Sequence, residues 1–534
     1  MNMKNLTDDV RTELPRYPED VRELGGEEDS ATESRLSRRH LMGIAGTALP
    51  VALAGCSTFG ESDPTPAQTT PVTQAQQSLP GTLQVSDETA LVGDTLTLQG
   101  SGLPANAQLS VVWHSVDGEW ALIRHMNIVG PKYSPRTDGL ATVKTDSTGH
   151  FDSRLTVPED YGGKHRIEVQ TTDGKPVARN AVTVLISFDI DRTAAPLGST
   201  FTVESHGLGP SQFHTNYQLG WDNGQVGLFT AVSSRGHARA KVRAAGPPGK
   251  HMIEVFRGYL GDPFLIAPQS PFGPVAGGRK HAWTVEVTEP ATDFKTSWSD
   301  PLRDADPVPV FYPELDRQTD ASMTVSPASG TPGTRATITG QSFPANERVN
   351  LVWYTISGNR VTGAPIENVP KPDVLPTVRT DSNGSFEQTV TIPSDKGGTR
   401  PIVARVGGKS VAVSGFVMEP KVVGMTKEEG PIGTEFDVKI GGVGWTEYGN
   451  TYALTYDNKY LGYGCGMDES GGVINYTLRA AGEPGPHFID LYPAMYRGDE
   501  NPPDVYGGKA QLTFRDDHPG HATPSLHFTF HVTE

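Results

Sequence analysis

Cysteine is almost missing from this chain. Its 534 residues include two cysteines, Cys56 and Cys465. If Cys56 serves another purpose, Cys465 has no intrachain partner, and no domain core can be closed by a disulfide. Apolar packing alone must then stabilise each core.

Positive charge is also in short supply. Lys and Arg total 45 against 62 Asp and Glu, which gives a formal net charge of -17 at pH 7. A protein that binds nucleic acid carries clustered Lys and Arg, because the phosphate backbone is negative. The charge balance therefore excludes nucleic acid as the main partner and is typical of a solvated acidic surface.

Long apolar runs and long helical periodicity are missing too. The uncharged stretch 41–55 is shorter than the roughly 20 residues that cross a bilayer and fits the core of a signal peptide. The sequence contains no nucleophile elbow, metalloprotease helix or phosphate loop in proper form. We therefore expect no catalytic residue, no cofactor and no metal.

The ends of that uncharged stretch carry two export motifs. Arg38 and Arg39 open it within Ser-Arg-Arg-His-Leu-Met, and Leu-Ala-Gly-Cys closes it at Cys56. The first motif resembles a twin-arginine export signal and the second resembles a lipobox. The resemblance implies cleavage before Cys56 and a diacylglyceryl thioether on its sulfur. The membrane would then be a partner through that lipid, and the protein would be exported and anchored to the outer face of the cell membrane.

The rest of the chain is a duplication of two units, A and B. Residues 92–100 match 332–340, and 145–151 match 380–386, within unit A. Within unit B, the Arg-Ala-Ala-Gly that starts at Arg243 recurs at Arg479. The order A-B-A-B predicts these segments: acidic prefix 1–36, signal segment 37–55, lipidated disordered tether 56–81, A1 82–187, B1 188–290, inter-half linker 291–320, A2 321–420 and B2 421–534.

Both units show the pattern of β-strands. Leu96 and Leu98 alternate with polar residues, and Leu109, Val111 and Trp113 recur at every second position, which is the period of a half-buried strand. Turn sequences such as Asp-Ser-Thr-Gly separate segments of strand length. The fold class that follows is all-β, with four tandem sandwiches of roughly a hundred residues each and large core rings at Trp113 and Trp353.

Unit A resembles the IPT/TIG-like and other bacterial immunoglobulin-like modules of surface proteins. The resemblance is carried by the Gly93…Gly100…Pro104 run, by the turn at 146–151, by Gly162-Gly163, and by their second copies. It implies immunoglobulin-like domains that act as spacers, adhesive modules or ligand-binding modules. A fold resemblance of this kind does not identify a ligand.

Histidine supplies the remaining candidates for chemistry. His251 and His487 occupy matching places, and side-chain parity puts Glu254 on the opposite strand face from His251. We expect satisfied, buried histidines there instead of a site. The tail allows a metal site or exposed loop and strand histidines, and its histidines are His518, His521, His527 and His531. Cys465 is expected to be a buried apolar group, because no cation is close in sequence to activate it.

Tyrosine gives the predicted ligand-binding surface. B2 holds nine of the chain's 16 tyrosines, and B1 holds two. Parity predicts that Tyr460 points outward, and Tyr496 and Tyr506 fall in a Pro- and Gly-rich loop. Asp457 and Asn458, in the turn before Tyr460, would add polar contacts to a recognition surface built on tyrosine.

Three functions remain open on the sequence alone. The first is a lipid-anchored surface protein that binds or adheres to a glycan or an envelope protein. The second is a structural spacer or envelope component without catalysis. The third is a metal-binding protein or an enzyme, since twin-arginine export often carries such cargo.

Overall fold

A computed structural model describes residues 79–534, except for 124–126, 211–214, 260, 266–280, 291–293, 302–311, 317, 360–363, 447, 467–469, 496–507 and 521. The motif residues Arg38, Arg39 and Cys56 lie outside the described residues. Within the described ranges every regular element is a β-strand. None of them contains a helix long and apolar enough to cross a membrane.

The A units have the same strand order. In each, a three-stranded sheet faces a larger sheet whose first edge strand runs parallel to its neighbour. The strands of A1 are β1 Thr82–Val85, β2 Thr89–Ala90, β3 Thr95–Ser101, β4 Gln108–Ile123, β5 Asn127–Lys144, β6 Phe151–Thr156, β7 Gly163–Gln170 and β8 Pro176–Val184. The sheets of A1 are β1-β3-β6 and β2-β8-β7-β4-β5.

The B1 unit repeats that plan. Its strands are β9 Ser187–Ile190, β10 Ala194–Pro196, β11 Thr200–His206, β12 Thr215–Trp221, β13 Gly224–Phe229, β14 Ala238–Arg243, β15 Gly249–Tyr259, β16 Asp262–Pro263 and β17 His281–Thr288. Its sheets are β14-β11-β9 and β10-β17-β15-β12-β13, and β16 pairs with β15.

The second half repeats both plans. The strands of A2 are β19 Ser322–Ser326, β20 Ser329–Gly330, β21 Arg335–Gln341, β22 Arg348–Asn359, β23 Ala364–Lys371, β24 Thr377–Arg379, β25 Phe386–Thr391, β26 Gly398–Val406 and β27 Lys409–Met418. Those of B2 are β28 Lys421–Met425, β29 Glu429–Pro431, β30 Glu435–Gly441, β31 Thr451–Tyr456, β32 Lys459–Cys465, β33 Ile474–Arg479, β34 Gly485–Ala494 and β35 Leu526–Thr533.

This strand order is that of an immunoglobulin-like sandwich. In its lettering, one sheet is A-B-E and the other is A′-G-F-C-C′. The prediction of an all-β chain of tandem sandwiches is confirmed. Alternation explains the strands, since β3 buries every second side chain from Leu96 to Gly100.

The predicted core tryptophans are at the centre of the A units. Trp113 and Trp353 are fully buried. The indole of Trp113 donates to Asp160 Oδ2 at 2.8 Å, and that of Trp353 donates to Asp395 Oδ2 at 2.7 Å. Each buried polar N–H therefore has an acceptor, as a buried indole requires.

The Gly-Gly motif of each A unit forms its joint with the following B unit. A Cβ on Gly162 would lie 2.0 Å from the carbonyl oxygen of Gly207, and one on Gly397 would lie 2.2 Å from that of Gly442. Only glycine permits such an approach of two backbones. The A–B joint is therefore built in the same way in both halves.

The two halves meet through their B units. Strand β18, Ser297–Ser299, pairs with β35, so the predicted inter-half linker 291–320 supplies a strand to the larger sheet of B2. Its Trp298 lies 4.4 Å from the guanidinium of the buried Arg243, which also contacts the ring of Phe488. Arg243 forms an ion pair with the buried Asp490 at 2.7 Å.

Arg479 occupies the position in B2 that Arg243 occupies in B1. It is exposed and pairs with the exposed Glu435 at 2.6 Å. The duplication thus places one arginine in an interface and its copy in solvent.

We expect Arg243→Ala to destabilise the protein by about 3–5 kcal/mol, because it removes the guanidinium from the buried carboxylate of Asp490, which then keeps only His527 as a charged partner. The matched variant Arg479→Ala should change stability very little, since its ion pair is exposed. Urea unfolding followed by tryptophan fluorescence measures both. Equal losses in the two variants would contradict the assignment of Arg243 to the interface between the halves.

Candidate functional site

A groove lies where A1 meets the open end of the B1 sandwich. Its volume is ≈ 470 Å³, within the range of small-molecule sites. A1 contributes small and aliphatic residues, including the exposed Leu185. B1 contributes four larger side chains: Phe188, Tyr217, Arg257 and His281.

Strand register brings these B1 residues together. Tyr217 on β12 is the direct partner of Arg257 on β15, and His281 on β17 is the partner of Val255, two residues along the same strand. Residues two apart share a strand face, so Arg257 and His281 lie on the face of Tyr217. Phe188 comes from the opposite sheet, and its ring centroid lies 5.3 Å from both Tyr217 and His281.

The groove combines two largely buried aromatic rings in its wall, Phe188 at 3% and Tyr217 at 8% exposed, with hydrogen-bond donors. Burial raises the pKa of the Tyr217 phenol, and the positive charge of Arg257 lowers it by less. Tyr217 therefore keeps its proton at neutral pH and can donate. Arg257 adds a guanidinium, which is a planar multiple donor that is always charged.

The same position in B2 is closed. Tyr217, Arg257 and His281 correspond to Tyr452, Pro493 and Leu526 by strand register. Tyr452 is 1% exposed and donates to the carbonyl oxygen of Pro524 at 3.0 Å, and Leu526 is 0% exposed. The open and polar groove is therefore a property of the first half.

A second cluster lies at the same joint, on the outer face of B1. Glu204, His206 and His237 bring one metal-ligating atom each within 4.8 Å of one another. Oε2 of Glu159, from A1, lies 2.7 Å from Nδ1 of His206 across the joint. Among the described residues, these side chains have the donor types and spacing to hold a metal ion.

The tyrosine surface predicted on B2 has a different arrangement. Tyr460 does point away from its own sandwich, but there it packs against a hydrophobic cluster formed by B1 and by the outer face of B2, with the Lys509 ammonium 5.1 Å from its ring centroid. Asn458 is fully buried and donates to the carbonyl oxygen of Arg243 at 2.7 Å. The expectation that Asn458 offers an exposed contact is therefore wrong, because B1 covers this face.

The remaining residues of that prediction are Asp457, Tyr496 and Tyr506. Asp457 Oδ2 lies 2.6 Å from Nδ1 of His487, so this carboxylate is already paired. Tyr496 and Tyr506 lie outside the described residues, and their grouping with Tyr460 stays a prediction.

The paired histidines of the B units are structural, as expected from parity. His251 is buried, and its ring nitrogens lie 2.6 Å from Asp222 Oδ2 and 2.8 Å from the carbonyl oxygen of Pro247. His487 repeats the contact with Asp457. Burial alone would lower the pKa of His487, but its hydrogen bond to Asp457 and the charge of that carboxylate raise the pKa above its ordinary value.

The tail histidines do not all lie at the surface. His527 is 4% exposed, and its Nδ1 lies 2.6 Å from Asp490 Oδ1 in the interface between the halves. Its Nε2 lies 3.4 Å from Asp300 Oδ1, and its ring stacks on Trp298. His531 is exposed, His518 is half-buried, and His521 lies outside the described residues. The expectation of exposed tail histidines is wrong for His527, because β18 covers it.

The stability of this interface should depend on pH through His527. Burial and the charge of Arg243 would lower the pKa of His527, but Asp300 and Asp490 outweigh them and raise the pKa above its ordinary value. A raised pKa in the folded state stabilises the protein fully below the unfolded pKa of about 6.5, and that stability is lost as the pH rises through the folded pKa.

We therefore expect the thermal midpoint of the wild type to fall relative to that of His527→Gln as the pH rises above about 6.5. Calorimetry of both proteins across that range measures the difference. The exposed His150 supplies the control variant His150→Gln. A constant difference between wild type and His527→Gln at every pH would show that His527 does not titrate there.

Cys465 is half-buried, and its sulfur lies 3.2 Å from the hydroxyl of Thr451. The predicted full burial is therefore only partly reached.

The groove residues escaped sequence analysis for a definite reason. Arg257 and His281 share a sheet face with the apolar Val255, and parity assigns every residue on that face to the core. A comparison of the two copies carries the signal: where the second half has Leu526 and Pro493, the first half has His281 and Arg257. Where one copy has a polar residue at a core position and the other copy has an apolar one, the two domains differ in function.

No protein-family model and no curated protein matches this chain. Among solved structures, a mutant alpha-2-macroglobulin from Salmonella matches at 8% identity and TM-score 0.18, over 85% of this chain and 32% of that one. The Escherichia coli adhesin FdeC matches at 16% identity and TM-score 0.14, over 64% and 96%. A four-domain fragment of ICAM-5 matches at 14% and 0.15, over 80% and 100%. The chain thus spans about a third of the macroglobulin, and identities this low give no information on ligand or activity.

Proposed function

We propose that this protein is an exported, lipid-anchored surface protein that binds a glycan in the groove between A1 and B1. The observation that carries the proposal is the lining of that groove, where Phe188 and Tyr217 lie beside Arg257 and His281. The proposal assigns binding to the chain and no catalytic step.

The chemistry of the lining favours a sugar over other ligands. The apolar face of a pyranose ring packs on an aromatic ring, while its hydroxyl groups need donors and acceptors around the edge. Phe188 and Tyr217 would supply the aromatic surface at a low cost in conformational entropy, and 3% and 8% of their surfaces are exposed in the groove as it stands. Arg257 and His281 supply hydrogen bonds, and Arg257 also favours an acidic sugar.

The packing of the domains supports a binding protein more than an extended spacer. A1, B1 and B2 share contacts: Trp120 of A1 donates to Asp517 of B2 at 2.8 Å, and Asp517 also accepts from the backbone of Val232 in B1. Domains that pack against one another extend less far than a string of separate domains, but their relative positions are more rigid. Rigidity holds the groove in one shape and lowers the entropy cost of binding.

Binding of the full-length chain to an array of envelope and host glycans tests this function. We expect Arg257→Ala and His281→Ala to weaken binding of any hit by about tenfold each, since each removes a charged or polar hydrogen bond worth about 1.5 kcal/mol. The matched controls are Arg479→Ala and His531→Ala, which change exposed residues of B2. Retained binding in both groove variants, or binding of a protein and no glycan, would overturn the glycan assignment.

The anchoring part of the proposal has its own test. We expect Cys56→Ala to release the protein from the membrane fraction and to abolish labelling with a lipid precursor, because the acceptor sulfur is lost. Replacement of Arg38 and Arg39 by lysine should block export, since the twin-arginine signal is read by a receptor. A Cys56→Ala variant that stays membrane-bound, or normal export of the lysine variant, would contradict the corresponding motif.

A further inference from the structure

The outer face of the A-B-E sheet of B1 carries two stacked histidines. His206 ends β11, and His237 directly precedes β14, so the antiparallel register places them side by side. Their ring centroids are 4.8 Å apart, with an angle of 7° between the rings. Both side chains are partly exposed, so an ion in solution can reach them.

Two carboxylates complete the cluster from two domains. Glu204 lies two residues before His206 on the same strand face, and its Oε1 is 2.5 Å from Nε2 of His237. Glu159 belongs to the A1 connection between β6 and β7, and its Oε2 is 2.7 Å from Nδ1 of His206. One ligating atom each from Glu204, His206 and His237 lies within 4.8 Å of the others.

We propose that Glu159, Glu204, His206 and His237 form a binding site for a divalent transition metal of the zinc type, which links A1 to B1. Two imidazoles and two carboxylates are a four-coordinate donor set that suits Zn²⁺. The imidazoles disfavour Ca²⁺ and Mg²⁺, which take oxygen ligands.

Simple ion pairs are the alternative explanation of these contacts, and the second half of the chain argues against it. The corresponding positions there are Ser394, Lys439, Gly441 and Val473. All four ligand types are absent together from a joint that otherwise has the same backbone. Two separate ion pairs have no reason to be gained or lost as a set, whereas the four ligands of one metal do.

The site does not depend on the proposed glycan function. It predicts that one metal ion fixes the position of A1 against B1, because Glu159 and the three B1 ligands then share a single centre.

Titration of the untagged full-length chain with Zn²⁺ alone, followed by calorimetry and by metal analysis after dialysis, tests the proposal. We expect about one ion bound per chain. Co²⁺ in place of Zn²⁺ should give the visible absorption of a four-coordinate site. Mg²⁺ and Ca²⁺ should not compete.

Four variants assign the site. His206→Ala, His237→Ala and Glu159→Gln should each weaken Zn²⁺ binding by at least about tenfold. The control His150→Ala removes an exposed histidine that pairs with Asp152 at 2.9 Å without a second histidine, and it should bind Zn²⁺ as the wild type does. Circular dichroism confirms that each variant folds.

The Glu159→Gln variant distinguishes a bound metal from a simple ion pair. With a metal, Zn²⁺ raises the thermal midpoint of the wild type, and this rise becomes smaller in Glu159→Gln because one domain no longer contributes a ligand. Absence of stoichiometric Zn²⁺ binding, or equal binding by His206→Ala, His237→Ala and wild type, would overturn the site. If Glu159→Gln alone binds as the wild type does, the link between the domains is refuted.

Discussion

The packing of A1 and B1 against B2 depends on one buried carboxylate. Asp517 of B2 is fully buried, and it accepts hydrogen bonds from the Trp120 indole of A1, from the backbone of Val232 and Ser233 in B1, and from the Ser233 hydroxyl. A buried carboxylate is costly unless such donors surround it. Because the donors come from two other domains, the carboxylate is satisfied only when all three are in place. The cost of burying it therefore specifies how A1, B1 and B2 pack.

Duplication accounts for the backbone that the two halves share, and divergence between the copies accounts for the side chains at which they differ. The joint at Gly162 and Gly207 is repeated at Gly397 and Gly442, so each half contains the same A–B unit. Yet Arg243 is buried between the halves while its copy Arg479 is exposed. Positions with one structural role in the shared fold thus acquired different surroundings once the halves packed together. Comparison of the copies separates what the fold requires from what only one half uses.

The sequence predicts the interior of each domain well and the contacts between domains poorly. Alternation assigns Trp113 to a core, and there its indole meets Asp160. The same rule places Tyr460 outside its own sandwich, which is correct for B2 taken alone, but B1 covers that face. His527 fails in the same way, because a strand from outside the duplicated units covers it. Strand period reports which face of a sheet a residue occupies, and it contains no information on what packs against that face.

The groove and the histidine cluster both lie at the A1–B1 joint, and the second half has neither set of side chains. The groove lies between Leu185 of A1 and the B1 side chains Tyr217 and Arg257, so its width depends on the position of one domain against the other. The histidine cluster spans the same joint through Glu159. An ion held by residues of both domains restricts the movement that would open or close the groove. With the proposed ion and the proposed ligand both bound, their affinities would be coupled through the geometry of one joint, and by linkage each would affect the other equally.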